Sequence, residues 1–84
     1  MPVDVLFVPP VAVYARDQRW PEGLSVNDEP AGAVRLTGTV NGTSGLVAEL
    51  LRWRRYCAVV GGVELRAKVA EEVQAMASLY ERDL

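Results

Sequence analysis

The 84-residue sequence contains no histidine and only one cysteine, Cys57. Without histidine and with a single thiol, a zinc site and a histidine-based catalytic triad are both excluded within this chain. A lone cysteine cannot form an internal disulfide. Because Cys57 lies in the apolar run 56–60, we interpret it as a small buried hydrophobe and not as a reactive thiol.

The sequence also lacks a strong charge imbalance and a long apolar run. Nine Lys and Arg against eleven Asp and Glu give a formal charge of −2, which does not suit a domain that binds nucleic acid by bulk electrostatics. No apolar run reaches the roughly 18 residues of a membrane span, and the first residues lack the basic region of a signal peptide. We therefore expect a cytoplasmic protein without membrane contacts, and a single domain over residues 1–84.

Alternating apolar residues, helical stripes and turn residues divide the chain into seven elements. The predicted strands are 3–8, 24–27, 33–40 and 56–60, and the predicted helices are 11–19, 44–54 and 63–82. Thr43 or Ser44 is expected to cap the second helix. The order β-α-β-β-α-β-α predicts an α+β fold, namely a ferredoxin-like β-α-β-β-α-β sandwich with an additional C-terminal helix. Its antiparallel sheet should have strand order 4-1-3-2, with two helices on one face.

Several short motifs follow one another in a recognisable order. They are Arg19-Trp20 after the first helix, the leucine-rich segment Leu46 to Trp53, the strand end Val59-Val60, the break Gly61-Gly62, the triplet Glu64-Leu65-Arg66 and a long helix that closes on Tyr80. This order resembles the WCX domain, the C-terminal extension of bacterial WYL-domain transcription regulators. Two departures concern loops, because the family often has proline where Gly62 stands and a glycine-centred turn where 54–56 stand.

The resemblance implies a regulatory domain that contributes to dimerisation and effector sensing, without enzymatic activity and without a cofactor. It implies three partners: a second copy of the chain, the WYL domain of the parent regulator, and an anionic effector or nucleic-acid fragment in the cleft between the two domains. DNA would be bound only through the N-terminal domain of that regulator. Since neither a helix-turn-helix nor a WYL domain fits in 84 residues, we expect an excised fragment or a standalone relative.

A freestanding ferredoxin-like module that binds a small ligand or a protein, as ACT-type sensor domains do, is the alternative. The full-length reading frame would discriminate the two. An RNA-recognition motif shares the element order but stacks bases on aromatic residues of its central strands. The strand 33–40 has no aromatic residue, so we reject that function. The sequence predicts no catalytic, cofactor-binding or metal-binding residue.

Candidate contacts to an effector or a neighbouring domain combine cationic and aromatic side chains. They are Arg16, Arg19, Trp20, Arg35, Arg52, Trp53 and Arg55. Arginine can fork onto phosphate or carboxylate, and tryptophan can stack on a base. A structural role explains these residues equally well, since cations near a helix end offset its dipole and tryptophan covers apolar surface. Arg35 shares a polar strand face with Thr37 and Thr39, which suits either solvent or a partner.

The last helix carries a continuous apolar stripe. It consists of Leu65, Val69, Val73, Met76 and Tyr80. Because two helices already cover one face of the predicted sheet, this stripe needs another surface, and it is too apolar to be left in water. We therefore predict a homodimer to which this helix or the face of Arg35, Thr37 and Thr39 contributes.

Overall fold

Seven regular elements follow one another in the order β-α-β-β-α-β-α. The computed structural model describes residues 1–42 and 44–82. The elements are β1 (Pro2–Phe7), α1 (Pro9–Asp17), β2 (Leu24–Asp28), β3 (Val34–Thr39), α2 (Ser44–Leu51), β4 (Cys57–Gly61) and α3 (Val63–Glu81). The predicted α+β class and element order are confirmed. The predicted cap of α2 by Thr43 or Ser44 lies outside the described residues and side chains.

Most element boundaries differ from the predicted ones by one to three residues. Helix α1 begins at Pro9, not at Val11, because proline is tolerated in the first helical turn, where its missing N–H is not needed. Helix α2 ends at Leu51, not at Arg54, and a single turn of 3-10 helix, Arg54–Tyr56, precedes β4. Consequently Tyr56, predicted to begin the fourth strand, lies in that turn.

The four strands form one antiparallel sheet with the order β2-β3-β1-β4. Read from β4, this is the predicted strand order 4-1-3-2. The central pair aligns Val5 with Leu36, and both side chains are completely buried. The alternation in β1 and β3 therefore separates a core face from an open face, as the period of two predicts.

One apolar core lies between the sheet and the helices. Its buried members are Val3, Val5, Phe7, Ala12, Ala15, Val34, Leu36, Val40, Leu46, Val47, Leu50 and Leu65. Helix α1 contributes the small residues Ala12 and Ala15, which allow it to approach the sheet closely. Burial of such side chains supplies most of the stabilisation of a small domain.

The start of α3 belongs to the same core. Leu65 is fully buried with the side chains of α1 and α2, so the expectation that two helices alone fill this face is wrong for the first turn of α3. Cys57 and Val59 of the edge strand β4 are partly buried against that core. Helix α3 therefore packs beside α2 on β1 and β4 before its later turns continue beyond the sheet.

Two glycines allow backbones to approach where a side chain could not fit. Gly38 has φ +141°, and a Cβ there would collide with the carbonyl oxygen of Gly23. The neighbour of Gly38 is thus the turn before β2. Gly62, which precedes α3, has φ +80°, and a Cβ there would collide with the carbonyl oxygen of Pro2. Proline, fixed near φ −65°, is incompatible with this entry into α3.

Candidate functional site

The two tryptophans form one aromatic cluster with Phe7. The Phe7 ring centroid lies 5.5 Å from that of Trp20 and 5.0 Å from that of Trp53, and the two indoles are stacked at 6.0 Å. The indole N–H of Trp20 donates a 2.9 Å hydrogen bond to the carbonyl oxygen of Ala15. Both indoles are partly buried against the core, which supports a structural role for them.

Arg35 is engaged by two carboxylates on the open face of the sheet. Its Nε donates to Asp4 Oδ1 at 2.6 Å and its Nη2 to Asp4 Oδ2 at 2.9 Å, while Nη1 donates to Glu29 Oε1 at 3.1 Å. This forked geometry is the strongest form of ion pair. The hydrogen bonds from Arg35 hold the pKa of Asp4 below its usual value of 3.8. The side chains of Arg35 and Asp4 are only 38% and 31% exposed.

Two more of the candidate arginines lie in ion pairs near the ends of α1 and α2. Arg16 joins the end of α1 to Asp28 at the end of β2, at 2.6 Å. Arg52 contacts Glu49 at 3.3 Å, and Glu49 also accepts a 3.0 Å hydrogen bond from Gln18. These exposed pairs tie α1 to β2 and α2 to the segment after α1. Pairs of this kind contribute little stability individually.

The turn between α2 and β4 concentrates cations around one ring. The guanidinium carbons of Arg54 and Arg55 lie 5.6 Å and 5.4 Å from the ring centroid of Tyr56. Arg55 Nη2 donates to the Tyr56 hydroxyl at 3.4 Å. The same three residues line an open cleft of about 240 Å³. We call this group, Arg54 to Tyr56, the arginine turn.

Helix α3 buries only the beginning of its predicted stripe. Leu65 is fully buried and Val69 is partly buried against the core. Val73 and Met76 are about half exposed, at 51% and 50%, and Tyr80 is 89% exposed. Leu79, which lies beside Tyr80, is also 50% exposed. The later turns of α3 therefore present apolar side chains for which the described residues offer no cover.

These residues and elements agree with a known family. A model of the WCX domain matches residues 1–77 of the chain. The chain belongs to the WCX domain family. It is thus a regulatory C-terminal domain of the kind found in WYL-type regulators. A comparison with curated proteins finds no match.

In this WCX domain the seven candidate contact residues do not form one site. Trp20 and Trp53 lie in the aromatic cluster, Arg35 lies on the open sheet face, and Arg55 lies in the arginine turn. Arg16 and Arg52 are paired near the helix ends, and Arg19 is exposed after α1. Among these seven residues, Arg55 lines the cleft of the arginine turn, together with Arg54 and Tyr56.

Two residues of that cleft, Arg54 and Tyr56, belong to the basic and aromatic segment 52–56 but were not among the seven candidates. The sequence pattern assigns Arg54 to the second helix and Tyr56 to the fourth strand, so it does not show the turn between these elements. The signal that could have revealed it was the family's glycine-centred turn at these positions. Arg54 adopts φ +59°, the left-handed conformation that favours glycine. The WCX domain therefore keeps a glycine-type turn here but places an arginine in it.

The thiol of Cys57 is partly buried against the core. It lies in contact range of the Leu50 carbonyl oxygen, 3.5 Å from Sγ. Burial raises the pKa of Cys57 to about 11, so the thiol is protonated near neutral pH and is a poor nucleophile.

Over residues 1–42 and 44–82, no three His, Cys, Asp or Glu side chains gather as metal ligands. In the same part of the chain, no helix is long and apolar enough to span a bilayer.

Proposed function

We propose that this WCX domain acts in a bacterial helix-turn-helix/WYL transcription regulator, where it contributes to dimerisation and effector sensing. In this proposal it has no enzymatic activity, works in the cytoplasm, and reaches DNA only through the N-terminal domain of the regulator. We also assign its architecture to the ferredoxin-like class with an added C-terminal helix. The strand order β2-β3-β1-β4 and the antiparallel pairing support that assignment.

The later turns of α3 carry the dimerisation proposal. Val73, Met76 and Leu79 are each about half exposed, and Tyr80 is almost wholly exposed. Contiguous apolar groups of this kind on a soluble domain mark an interaction surface. A second copy of the same helix would supply a matching apolar stripe, and isologous pairing of one patch with itself is the commonest arrangement in homodimers.

An antiparallel helix pair makes this proposal specific. If the twofold axis passes between Val73 and Met76, each Val73 lies opposite Met76 of the partner subunit. In the same register Val69 faces Tyr80 of the partner subunit. The exposed stripe residues Val73, Met76 and Tyr80 are then covered by the partner subunit.

The open sheet face is the weaker dimerisation candidate. Its central cation, Arg35, is held by Asp4 and Glu29, and the flanking Thr37 and Thr39 are uncharged. This face therefore satisfies the charge of Arg35 within the domain. We therefore assign it to solvent or to the WYL domain of the parent regulator, and we assign self-association to α3.

Sedimentation equilibrium on two lysine variants tests the proposal. Met76→Lys puts a charge on the apolar stripe, whereas Ala75→Lys puts it on the neighbouring helix face. Each lysine follows a glutamate by four residues, Glu72 or Glu71, so both changes support the isolated helix equally. At tens of micromolar we expect a dimer mass for the wild type and Ala75→Lys, and a monomer mass for Met76→Lys. A dimeric Met76→Lys variant would move the interface away from α3, and a monomeric wild type would contradict self-association by this chain.

A further inference from the structure

The arginine turn contains two adjacent guanidinium groups, those of Arg54 and Arg55. Arg16, Arg35 and Arg52 each contact an Asp or Glu side chain. Among residues 1–42 and 44–82, no ion pair joins Arg54 or Arg55 to any carboxylate. Both are exposed, and they are adjacent in sequence, so the turn is a local concentration of uncompensated positive charge.

The backbone at Arg54 makes this concentration unusual. Its φ of +59° lies in the left-handed region, where any residue with a Cβ is disfavoured relative to glycine. Glycine would form the same turn with less strain. The guanidinium is therefore present at a position whose backbone conformation disfavours arginine, and such positions are common at binding sites.

Tyr56 holds the two cations together. Both guanidinium carbons lie within 5.6 Å of its ring centroid, a distance at which the electron-rich face of the ring attracts a cation. The ring thus offsets part of the repulsion between the two arginines without neutralising either charge. An anion bound between them would remove the remaining repulsion, and the forked N–H groups suit the oxygens of a phosphate.

The cleft limits what such an anion can be. Its volume is about 240 Å³, below the roughly 300–1,000 Å³ of pockets that enclose a drug-sized ligand. It has room for a charged group and a small part of the attached molecule. Two guanidiniums match the charge of a terminal phosphate, which is close to −2 at neutral pH, better than the single charge of a phosphodiester.

We propose that the arginine turn binds a terminal phosphate group, with Arg54 and Arg55 as its ligands and Tyr56 as the support that aligns them. The inference rests on the proposed effector-sensing function for its regulatory meaning and names the chemical class of the effector as a small phosphorylated molecule. It adds Arg54 and Tyr56 to the contact residues and leaves the ion-paired arginines and the tryptophans outside the site.

Titrations of the full chain followed by amide NMR test this assignment. The probes are inorganic phosphate, adenosine 5′-monophosphate and adenosine, each at ionic strength matched with sodium chloride. We expect phosphate and the monophosphate to shift the amides of residues 54–57, and adenosine and chloride to leave them in place. Stronger binding of the monophosphate than of phosphate identifies a phosphorylated organic molecule as the source, and equal binding identifies free phosphate.

Arg54→Gly is the decisive variant because it removes the guanidinium while favouring the observed backbone conformation. We expect this variant to bind phosphate at least tenfold more weakly and to be no less stable than the wild type. Arg52→Ala, which removes a nearby arginine that is already paired with Glu49, should bind phosphate like the wild type. Arg55→Gln should weaken binding as Arg54→Gly does.

Three results would overturn the assignment. They are shifts in chloride as large as those in phosphate, equal binding by Arg54→Gly and the wild type, and tighter binding of an oligonucleotide without a terminal phosphate than of the monophosphate. Sedimentation of the same samples separates this inference from the dimerisation proposal. A dimer that fails to bind phosphate contradicts the phosphate site alone, and a monomer that binds it contradicts self-association alone.

Discussion

The body of the domain and its periphery differ in how completely their side chains find partners. In the body, which comprises the sheet, α1, α2 and the first turns of α3, Leu65 is fully buried and Arg35 is held by two carboxylates. At the periphery, Tyr80 on the same helix as Leu65 is 89% exposed, and the arginine turn has two cations on one ring. One short chain thus contains both a self-sufficient core and surfaces suited to other molecules.

This difference shows why residue type alone is a poor guide to role. Leu65 and Val73 belong to one stripe by sequence, and Arg35 and Arg55 were both candidate contacts. In each pair the first residue is buried or ion-paired within the fold, whereas Val73 is half exposed and Arg55 has no ion pair among the described residues. Substitution of the first residue of each pair, in the body, should therefore lower stability. Substitution of the second residue, at the periphery, should weaken association or binding.

The largest difference in the loss of unfolding free energy is expected between substitutions in the first and in the later turns of α3. Leu65→Ala empties a fully buried site and should lower the free energy of unfolding by about 3–4 kcal/mol. Val73→Ala removes a half-exposed side chain and should lower it by less than about 1 kcal/mol. Urea denaturation followed by far-ultraviolet circular dichroism, at concentrations where the chain is monomeric, measures both. Equal losses would show that α3 belongs to the body along its whole length.

A second comparison uses two aromatic residues close together in the sequence. Trp20→Ala removes a partly buried ring from the cluster with Phe7 and Trp53, and it leaves the Ala15 carbonyl without its hydrogen bond. We expect a loss of about 2–3 kcal/mol, below the range for completely buried tryptophan. Tyr14→Ala, at a site that is 67% exposed, is the control and should change the melting temperature little. An unchanged melting temperature for Trp20→Ala would return Trp20 to the list of domain contacts.

The smallest effect on stability is expected from removing the charge of Asp4. The pKa of Asp4 is lowered by the hydrogen bonds from Arg35, so its ionised form is favoured in the folded state. The stability that this pair adds is complete above the usual carboxyl pKa of 3.8, and it is lost as the pH falls through the lowered value in the folded protein. Asp4→Asn should therefore reduce stability at neutral pH and flatten its decline in acid.

Acid titration of the unfolding free energy measures this effect, with Arg55→Ala as the matched control. That variant removes an arginine with no carboxylate partner among the described residues, so it should keep the pH dependence of the wild type. If Asp4→Asn also kept it, the contacts between Asp4 and Arg35 on the open face would contribute nothing to stability in solution.

Much of the fold could be predicted because local patterns determine it. The alternation of Val3, Val5 and Phe7 identified the buried face of β1, and the turn signals placed each element within a few residues. What could not be predicted depends on contacts between distant segments. Asp4 and Arg35 meet only because β1 pairs with β3, and the sequence gives no rule for the register of two strands joined by so long a connection.

The candidate site was harder to predict than the fold for a related reason. Trp53 and Arg54 continue the helical spacing of α2, so the spacing alone does not show that the helix ends at Leu51. The end of the helix lets Trp53 join the aromatic cluster and places Arg54 in a left-handed turn. A single local change in backbone direction therefore decided which residues are core and which are available to a ligand.

The stacked tryptophans also give the domain an optical signature. Trp20 and Trp53 are the only two tryptophans in the chain, and their rings lie 6.0 Å apart at an interplanar angle of 29°. Transitions of two indoles this close couple electronically, so the folded domain should show a paired positive and negative band in circular dichroism that neither indole gives alone. Trp20 follows α1 and Trp53 follows α2, so this band reports the closure of two distant segments over Phe7. The later turns of α3 contain no indole, so the band would report unfolding of the body and not changes in those turns.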